Sequence, residues 1–360
     1  MAIQFYNLKV KEVRRETDQA VSLFFDIPDN LKDDFKYKPG QYITIKLDLE
    51  GEPRRAYSLS TSPHTDSEFG VTIKEVQGGK VSTYINNELK AGDMLDVMPP
   101  LGNFTTIIDE HNIRKFVMFA GGSGITPIIS LIKSILKVEV NSRLTLFYAN
   151  QTNDSVIFKK ELDELENNHS DKFKIIHILE DNPLSWECET GRFTAERISE
   201  LFRNYNINIQ DSEYFMCGPA PMMEAIEDGL KIVGAKNSSI NKELFTAAEN
   251  QSERLEKDTT GNNASKGSSS KKLKVTIYGE DYEIDCNDDE TILMAGIRNH
   301  LDPPFSCQIG ACSTCMAQVK KGEVEMEVDD ALTADEIEDG FILTCTSHVK
   351  SDEVEIDYDY

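Results

Sequence analysis

Four cysteines toward the C-terminal end are spaced as a metal-holding set: Cys307-x4-Cys312-x2-Cys315, with Cys345 thirty residues further on. Three thiolates on one tight loop can reach two metal ions while the fourth returns from a distant segment, which is the plant-type arrangement for a two-iron, two-sulfide (2Fe-2S) cluster. The small residues Gly310, Ala311 and Ser313 between the ligands leave room for backbone N–H groups to approach the sulfurs and tune them. Structural zinc usually needs two short C-x2-C or Cys/His hooks, and only one is present here. With seven cysteines in all, an odd number, a disulfide framework is the weaker reading.

Upstream strings point to nucleotide chemistry. In Arg55-Ala56-Tyr57-Ser58 a cation, an aromatic ring and a hydroxyl alternate at the end of a predicted strand. Arginine can fork onto a phosphate, a tyrosine face can stack on a flavin, and a serine hydroxyl can bond the ring edge. Gly78-Gly79-Lys80-Val81-Ser82-Thr83 is a glycine-opened turn at a predicted helix start, able to offer backbone N–H groups to a pyrophosphate or to serve as an ordinary cap. Gly121-Gly122-Ser123-Gly124-Ile125-Thr126-Pro127 follows an apolar strand and opens a helix, the setting in which a glycine-rich turn cradles a dinucleotide. Tyr214-Phe215-Met216-Cys217-Gly218-Pro219 ends another apolar strand with a thiol at the mouth of the predicted sheet.

These strings need elements to position them. Residues 1–105 alternate in short Val, Ile, Thr and Phe-rich runs (6–13, 20–27, 41–47, 54–60, 69–76 and 93–98), which predicts an antiparallel β-barrel. Residues 106–246 repeat apolar strand, loop and amphipathic helix, with helices predicted at 126–136, 158–167, 194–202 and 220–232; that is the pattern of an α/β parallel sheet. Residues 247–271 hold one Leu as their only large apolar residue and end in a Gly/Ser/Lys run, predicting a flexible linker with a span of roughly 25–30 Å. Residues 272–360 predict a small α+β, β-grasp-like domain carrying the cysteines, with strands at 273–277 and 282–285 and a helix at 291–299.

The chain has 360 residues and a net charge of −25, which argues against nucleic acid or an anionic membrane as partner. The excess is uneven: residues 272–360 carry 22 Asp/Glu against 6 Lys/Arg, either for solubility or as an electrostatic docking face. The longest apolar runs, 116–120 and 128–132, are far short of the roughly 20 residues that cross a bilayer, so no membrane insertion is expected. The N-terminal stretch lacks a basic patch followed by an apolar run, which predicts a cytoplasmic location.

Taken together, RAYS, GGKVST, GGSGITP and CGP in this order resemble the ferredoxin-NADP reductase superfamily. With the appended cysteine domain the chain is similar to the reductase subunits of bacterial multicomponent oxygenases of the phenylacetyl-CoA epoxidase type. The resemblance covers nearly the whole chain apart from the linker. It implies an NAD(P)H:acceptor oxidoreductase using FAD and a 2Fe-2S cluster, handing electrons to an oxygenase or another one-electron acceptor docking near the acidic ferredoxin domain. It also implies that Arg55, Tyr57 and Ser58 contact FAD, with Ser58 near N5, and that Ile73, Lys74, Lys80, Val81 and Ser82 hold its phosphates. Gly122, Gly124, Thr126 and Pro127 would frame the nicotinamide, and Cys217, Gly218 and Pro219 would line the hydride path. Glu243-Leu-Phe245 matches the closing E-x-F, making Ser58, Cys217 and Glu243 the catalytic candidates. Cys307, Cys312, Cys315 and Cys345 would be the iron ligands. The chain departs from relatives at Gln308 (often Arg), Ser313 (often Gly) and Gln151, where relatives often carry an Arg that grips a 2′-phosphate; Arg192 is a substitute candidate. The strand end at Gln151 carries no Asp or Glu to bind a ribose diol either, so NADH and NADPH both stay open. Two rival functions stand beside this one: a general ferredoxin-type carrier serving desaturases or several acceptors, and a flavin reductase with a small-molecule acceptor.

Overall fold

The computed structural model describes residues 4–49, 52–181, 186, 188–245, 270–329 and 331–360. The first unit is built from β1 (Tyr6–Thr17), β2 (Ala20–Asp26), β3 (Tyr42–Lys46), β4 (Arg54–Ser58), β5 (Phe69–Lys74) and β6 (Met94–Leu101), in the order β4-β3-β6-β1-β2-β5 with every neighbouring pair antiparallel. A bridge between Leu59, just past β4, and Val71 of β5 joins the two edges into a barrel. Period-two burial drives this closure: Leu8, Val10, Leu23, Ile43, Ile45, Val71 and Val97 fill the interior. Helix α1 (Lys80–Asn87) plugs the barrel with Val81 and Ile85.

The second unit is a parallel sheet of β7 (Lys115–Gly121), β8 (Arg143–Asn150), β9 (Phe173–Leu179), β10 (Glu189–Thr190), β11 (Ser212–Gly218) and β12 (Ile240–Leu244). Its order is β10-β9-β8-β7-β11-β12. The chain runs outward from β7 and then returns to its other side, so the order reverses between β7 and β11, the place where such sheets bind ligands. Helices α2 (Ile125–Val138), α3 (Lys159–Asn168), α4 (Ala195–Asn204) and α5 (Ala220–Val233) flank the sheet. Helix α2 also joins barrel to sheet: Ser130 Oγ donates to Thr61 O at 2.6 Å, Ser134 meets Ser62 at 2.7 Å, and the buried Lys133 reaches Asp66 at 2.7 Å.

The third unit holds β13 (Ser270–Ile277), β14 (Glu280–Asn287), α6 (Ile292–Arg298), β15 (Met316–Lys321), β16 (Val324–Met326), α7 (Ala334–Glu338), β17 (Phe341–Leu343), β18 (Ser347–Val349) and β19 (Glu353–Asp357). Its mixed sheet runs β14-β13-β19-β15-β17 with β13 and β19 parallel, and β16 pairs with β18 alone. The expected linker lies outside the described residues as far as 269. Its last two positions are strand instead, because Ser270 and Lys271 pair with Asn287 and Cys286, and the Lys271 ammonium bonds Val349 O at 2.8 Å and Asp288 at 3.0 Å. No described helix is long and apolar enough to cross a membrane.

Candidate active site and cluster loop

The turn after β7 and the turn after β11 meet at the reversal point. Gly124 lies so close to β11 that a Cβ there would fall 2.1 Å from the Cys217 carbonyl oxygen; only glycine fits. Strand β12 sets Glu243 beside Cys217, and the Ser58 hydroxyl at the end of β4 donates to Glu243 Oε2 at 3.1 Å, closing a crevice between barrel and sheet. Burial pushes the Glu243 carboxyl up to about 8, against the pull of the Ser58 hydrogen bond. Cys217 is fully buried, its thiol pushed well above the ordinary range by burial and then by Glu243. Thr126 is buried, its hydroxyl donating to Ser123 O at 3.1 Å; Pro127 is buried and Gly122 half-buried, while Tyr148 braces the turn by donating to Gly122 O at 3.0 Å. Gly218 is buried against Gly121, Pro219 is exposed at the start of α5, and Phe245 packs partly against the core of the sheet.

The barrel side of the crevice fits an anion. In a chain this acidic most cations are paired, yet Arg55, Lys74 and Lys80 form no ion pair among the described residues. Arg55 and Lys74 are half-buried, and burial lowers both below their ordinary values. The Lys74 ammonium points at the glycine turn, 3.6 Å from where a Gly122 Cβ would sit. Half-buried, uncompensated cations beside open backbone are the donor set a nucleotide diphosphate needs. Tyr57, half-buried, adds a ring beside Arg55. Ile73 and Val81 spend their side chains on the barrel core, so only their backbone can face a phosphate. The Ser82 hydroxyl closes its own turn, accepting from Val76 N–H at 3.0 Å and lying 3.3 Å from Gly79 O.

The four cysteines converge. Cys307 contacts Cys312 and Cys345, and Cys345 contacts Cys315. All four are buried. The backbone N–H groups of Ile309 and Ala311 face the Cys307 sulfur and favour its thiolate. Gly310 has φ +80°, and a Cβ there would stand 2.7 Å from Val328, so the loop curls around the sulfurs in a shape only glycine allows. Four buried sulfurs in contact, with two backbone amides facing Cys307, suit a thiolate-held metal centre, and the C-x4-C-x2-C…C spacing favours a two-iron cluster over zinc.

The loop is seated on the barrel. Arg54, with its side chain 5% exposed, pairs with Asp302 at 2.5 Å, donates to Pro303 O at 3.2 Å and stacks 4.3 Å over Phe305. The Tyr42 ring packs against Cys307 and Cys312. A cavity of about 280 Å³ runs between the units, with Glu243 on one wall and Cys312 on another. Tyr42, Arg54 and the acidic pair Glu180-Asp181 at the end of β9 belong to no motif in the sequence. Backbone N–H groups of that pair bond Asn150 O at 3.1 Å and Gln151 O at 2.9 Å, and Glu180 grips Arg192 through two contacts of 2.9 Å.

Barrel, parallel sheet and cysteine domain together define a flavin- and nicotinamide-dependent reductase with a ferredoxin domain attached. Family models agree: oxidoreductase FAD-binding domain over residues 7–123, oxidoreductase NAD-binding domain over 118–228, and 2Fe-2S iron-sulfur cluster binding domain over 275–350. The chain is 33% identical to one of the subunits of 1,2-phenylacetyl-CoA epoxidase of Escherichia coli, covering 99% of this chain and 98% of the other. It is also 33% identical to the ferredoxin reductase component of 3-ketosteroid-9-alpha-monooxygenase from Rhodococcus rhodochrous, over 94% and 92%. Phthalate dioxygenase reductase shares the fold, with a TM-score of 0.59 at 20% identity over 98% of each chain. The chain belongs to the family of FAD- and 2Fe-2S-containing reductase components of oxygenases.

Proposed function

We propose that this reductase takes electron pairs from NADH and passes them singly to an oxygenase that docks on the acidic ferredoxin domain, with phenylacetyl-CoA epoxidase as the template for that partner. FAD, when bound, supplies the conversion of a hydride into single electrons that a cluster can accept. Arg55, Tyr57 and Ser58 hold the flavin at the barrel edge, while Lys74, Lys80 and the backbone around Ile73, Val81 and Ser82 neutralise its phosphates. Gly122, Gly124, Thr126, Pro127, Gly218, Pro219 and Phe245 shape the slot for the nicotinamide, which Glu243, Ser58 and Cys217 orient. That is positioning rather than proton transfer. Cys307, Cys312, Cys315 and Cys345 hold the irons.

NADH is favoured over NADPH by charge. The adenosine end of a dinucleotide lies along the strand ends of such a sheet, where Glu180 and Asp181 present two carboxylates and the nearby Arg192 is tied to Glu180. A 2′-phosphate would meet repulsion there, and a ribose diol would meet acceptors.

The observation that carries the reading is that Glu243 and Cys312 wall one cavity, so the crevice and the cluster loop adjoin. Cys312→Ser tests it. NADH-dependent reduction of ferricyanide, which draws on the flavin, should persist, while reduction of cytochrome c or of the oxygenase should fall at least about tenfold; equal loss of both would refute the order of transfer.

A further inference from the structure

Tyr42 belongs to the barrel, 271 positions from the cluster loop it touches. It is 5% exposed, and its hydroxyl is fully engaged. It accepts from the Ser313 N–H at 3.1 Å and lies 3.1 Å from Thr314 Oγ1 and 3.3 Å from Ser313 Oγ. Thr314 is fully buried, with its Oγ1 3.4 Å from Cys312 Sγ. Thr314 has one hydroxyl proton and two neighbours. An iron-bound thiolate only accepts, so the proton lies toward Cys312, and the Thr314 oxygen is left to accept from Tyr42. The contacts then form a directed chain: Tyr42 O–H to Thr314 Oγ1, and Thr314 O–H to Cys312 sulfur.

We propose that Tyr42 is a positioning residue through which the flavin-binding barrel sets the reduction potential of the cluster, acting by way of Thr314 on Cys312. Hydrogen bonds to cluster sulfurs favour the more negative, reduced state and raise the potential. A donor behind the Thr314 hydroxyl polarises it and strengthens its bond to sulfur. The Thr314 hydroxyl is fully buried, and Tyr42 is the hydroxyl placed behind it. The step it biases is the passage of one electron from reduced FAD to the oxidised cluster, with one iron reduced and no bond made or broken. Seating the loop on the barrel thereby makes the cluster a better acceptor for the flavin beside it. The inference rests on the cluster assignment above.

The test is a redox titration of the full-length holoprotein, read by EPR at equal iron and sulfide content, for wild type, Tyr42→Phe, Thr314→Val, Thr314→Ser and the Tyr42→Phe/Thr314→Val pair. Tyr42→Phe should move the cluster potential to more negative values, Thr314→Val should move it further, and the pair should move it no further than Thr314→Val alone. Thr314→Ser, which keeps the hydroxyl, should stay near wild type. An unmoved potential in Thr314→Val overturns the inference even if Tyr42→Phe fails to load iron, as does an additive shift in the pair. A colourless wild-type protein would instead sink the cluster assignment itself.

Discussion

Glu243 joins sheet to barrel with a carboxyl that burial holds up to about 8, so at neutral pH it is protonated and the crevice carries no charge from it. As pH rises through about 8 it ionises, and the crevice gains a negative charge beside the flavin site, where negative charge must also build as hydride arrives. Stopped-flow reduction of the flavin by NADH should therefore slow above about pH 8 in wild type and lose that limb in Glu243→Gln; a wild-type profile flat through this range counts against the role. At the other end of the slot, kcat/KM should favour NADH over NADPH by about tenfold or more, equivalent to about 1.4 kcal/mol. Glu180→Gln, which removes one carboxylate and frees Arg192, should narrow that ratio mainly through the KM for NADPH. An unchanged ratio would mean the pair does not face the ribose. The chemistry that is local in sequence is legible there: Cys307, Cys312 and Cys315 fall within nine residues and GGSGITP within seven, although Cys345 returns from thirty residues further on. What depends on folding is not. Ser58 and Glu243 stand 185 positions apart and could be joined only by resemblance, and Tyr42 carried no signal at all, because a tyrosine on a barrel strand looks like ordinary β-propensity.

Among the elements, β7 and β11 must approach backbone to backbone for the two glycine turns to meet, and Gly124 is what permits it. Gly124→Ala should cost about 1–3 kcal/mol of stability by forcing the strand ends apart. A lower unfolding temperature together with weakened NADH binding is the expected pair of results; wild-type values for both would show that the contact gives way freely. Long elements with clean periodicity were readable: the strands of the barrel and the four helices flanking the parallel sheet fall within a few residues of expectation. Short ones were not. Strand β12, which delivers Glu243, is half-exposed without alternation, and β16 and β18 have three residues each, too few for any period to register. The end of the linker differs from expectation for a related reason: Ser and Lys look like tether, but Lys271 becomes strand once Val349 and Asp288 anchor its ammonium.

At the scale of the whole molecule, three units seat their working edges around one junction, and the contacts that do so differ in kind. Barrel and sheet meet through buried hydroxyls and Lys133; barrel and ferredoxin domain meet through the Arg54–Asp302 pair, the Arg54–Phe305 stack and Tyr42. Of the ferredoxin domain's 22 acids against 6 bases, Asp302 joins that seating through Arg54, and Glu336 joins it by accepting from Asn103 at 2.9 Å. The sequence of barrel, parallel sheet and cysteine domain is readable from apolar patterning and cysteine spacing; their mutual placement is not, since it rests on single side chains reaching across hundreds of residues. The proposed path takes up hydride in the crevice and releases single electrons through four sulfurs. Its most direct test is anaerobic titration of the purified holoprotein with NADH, followed by visible absorption and low-temperature EPR. We predict that flavin and cluster bands bleach together and that a paramagnetic signal from a reduced two-iron centre grows in, with about two irons per chain. Flavin bleaching with no iron-centred signal, or a zinc-loaded protein without colour beyond the flavin, would contradict it.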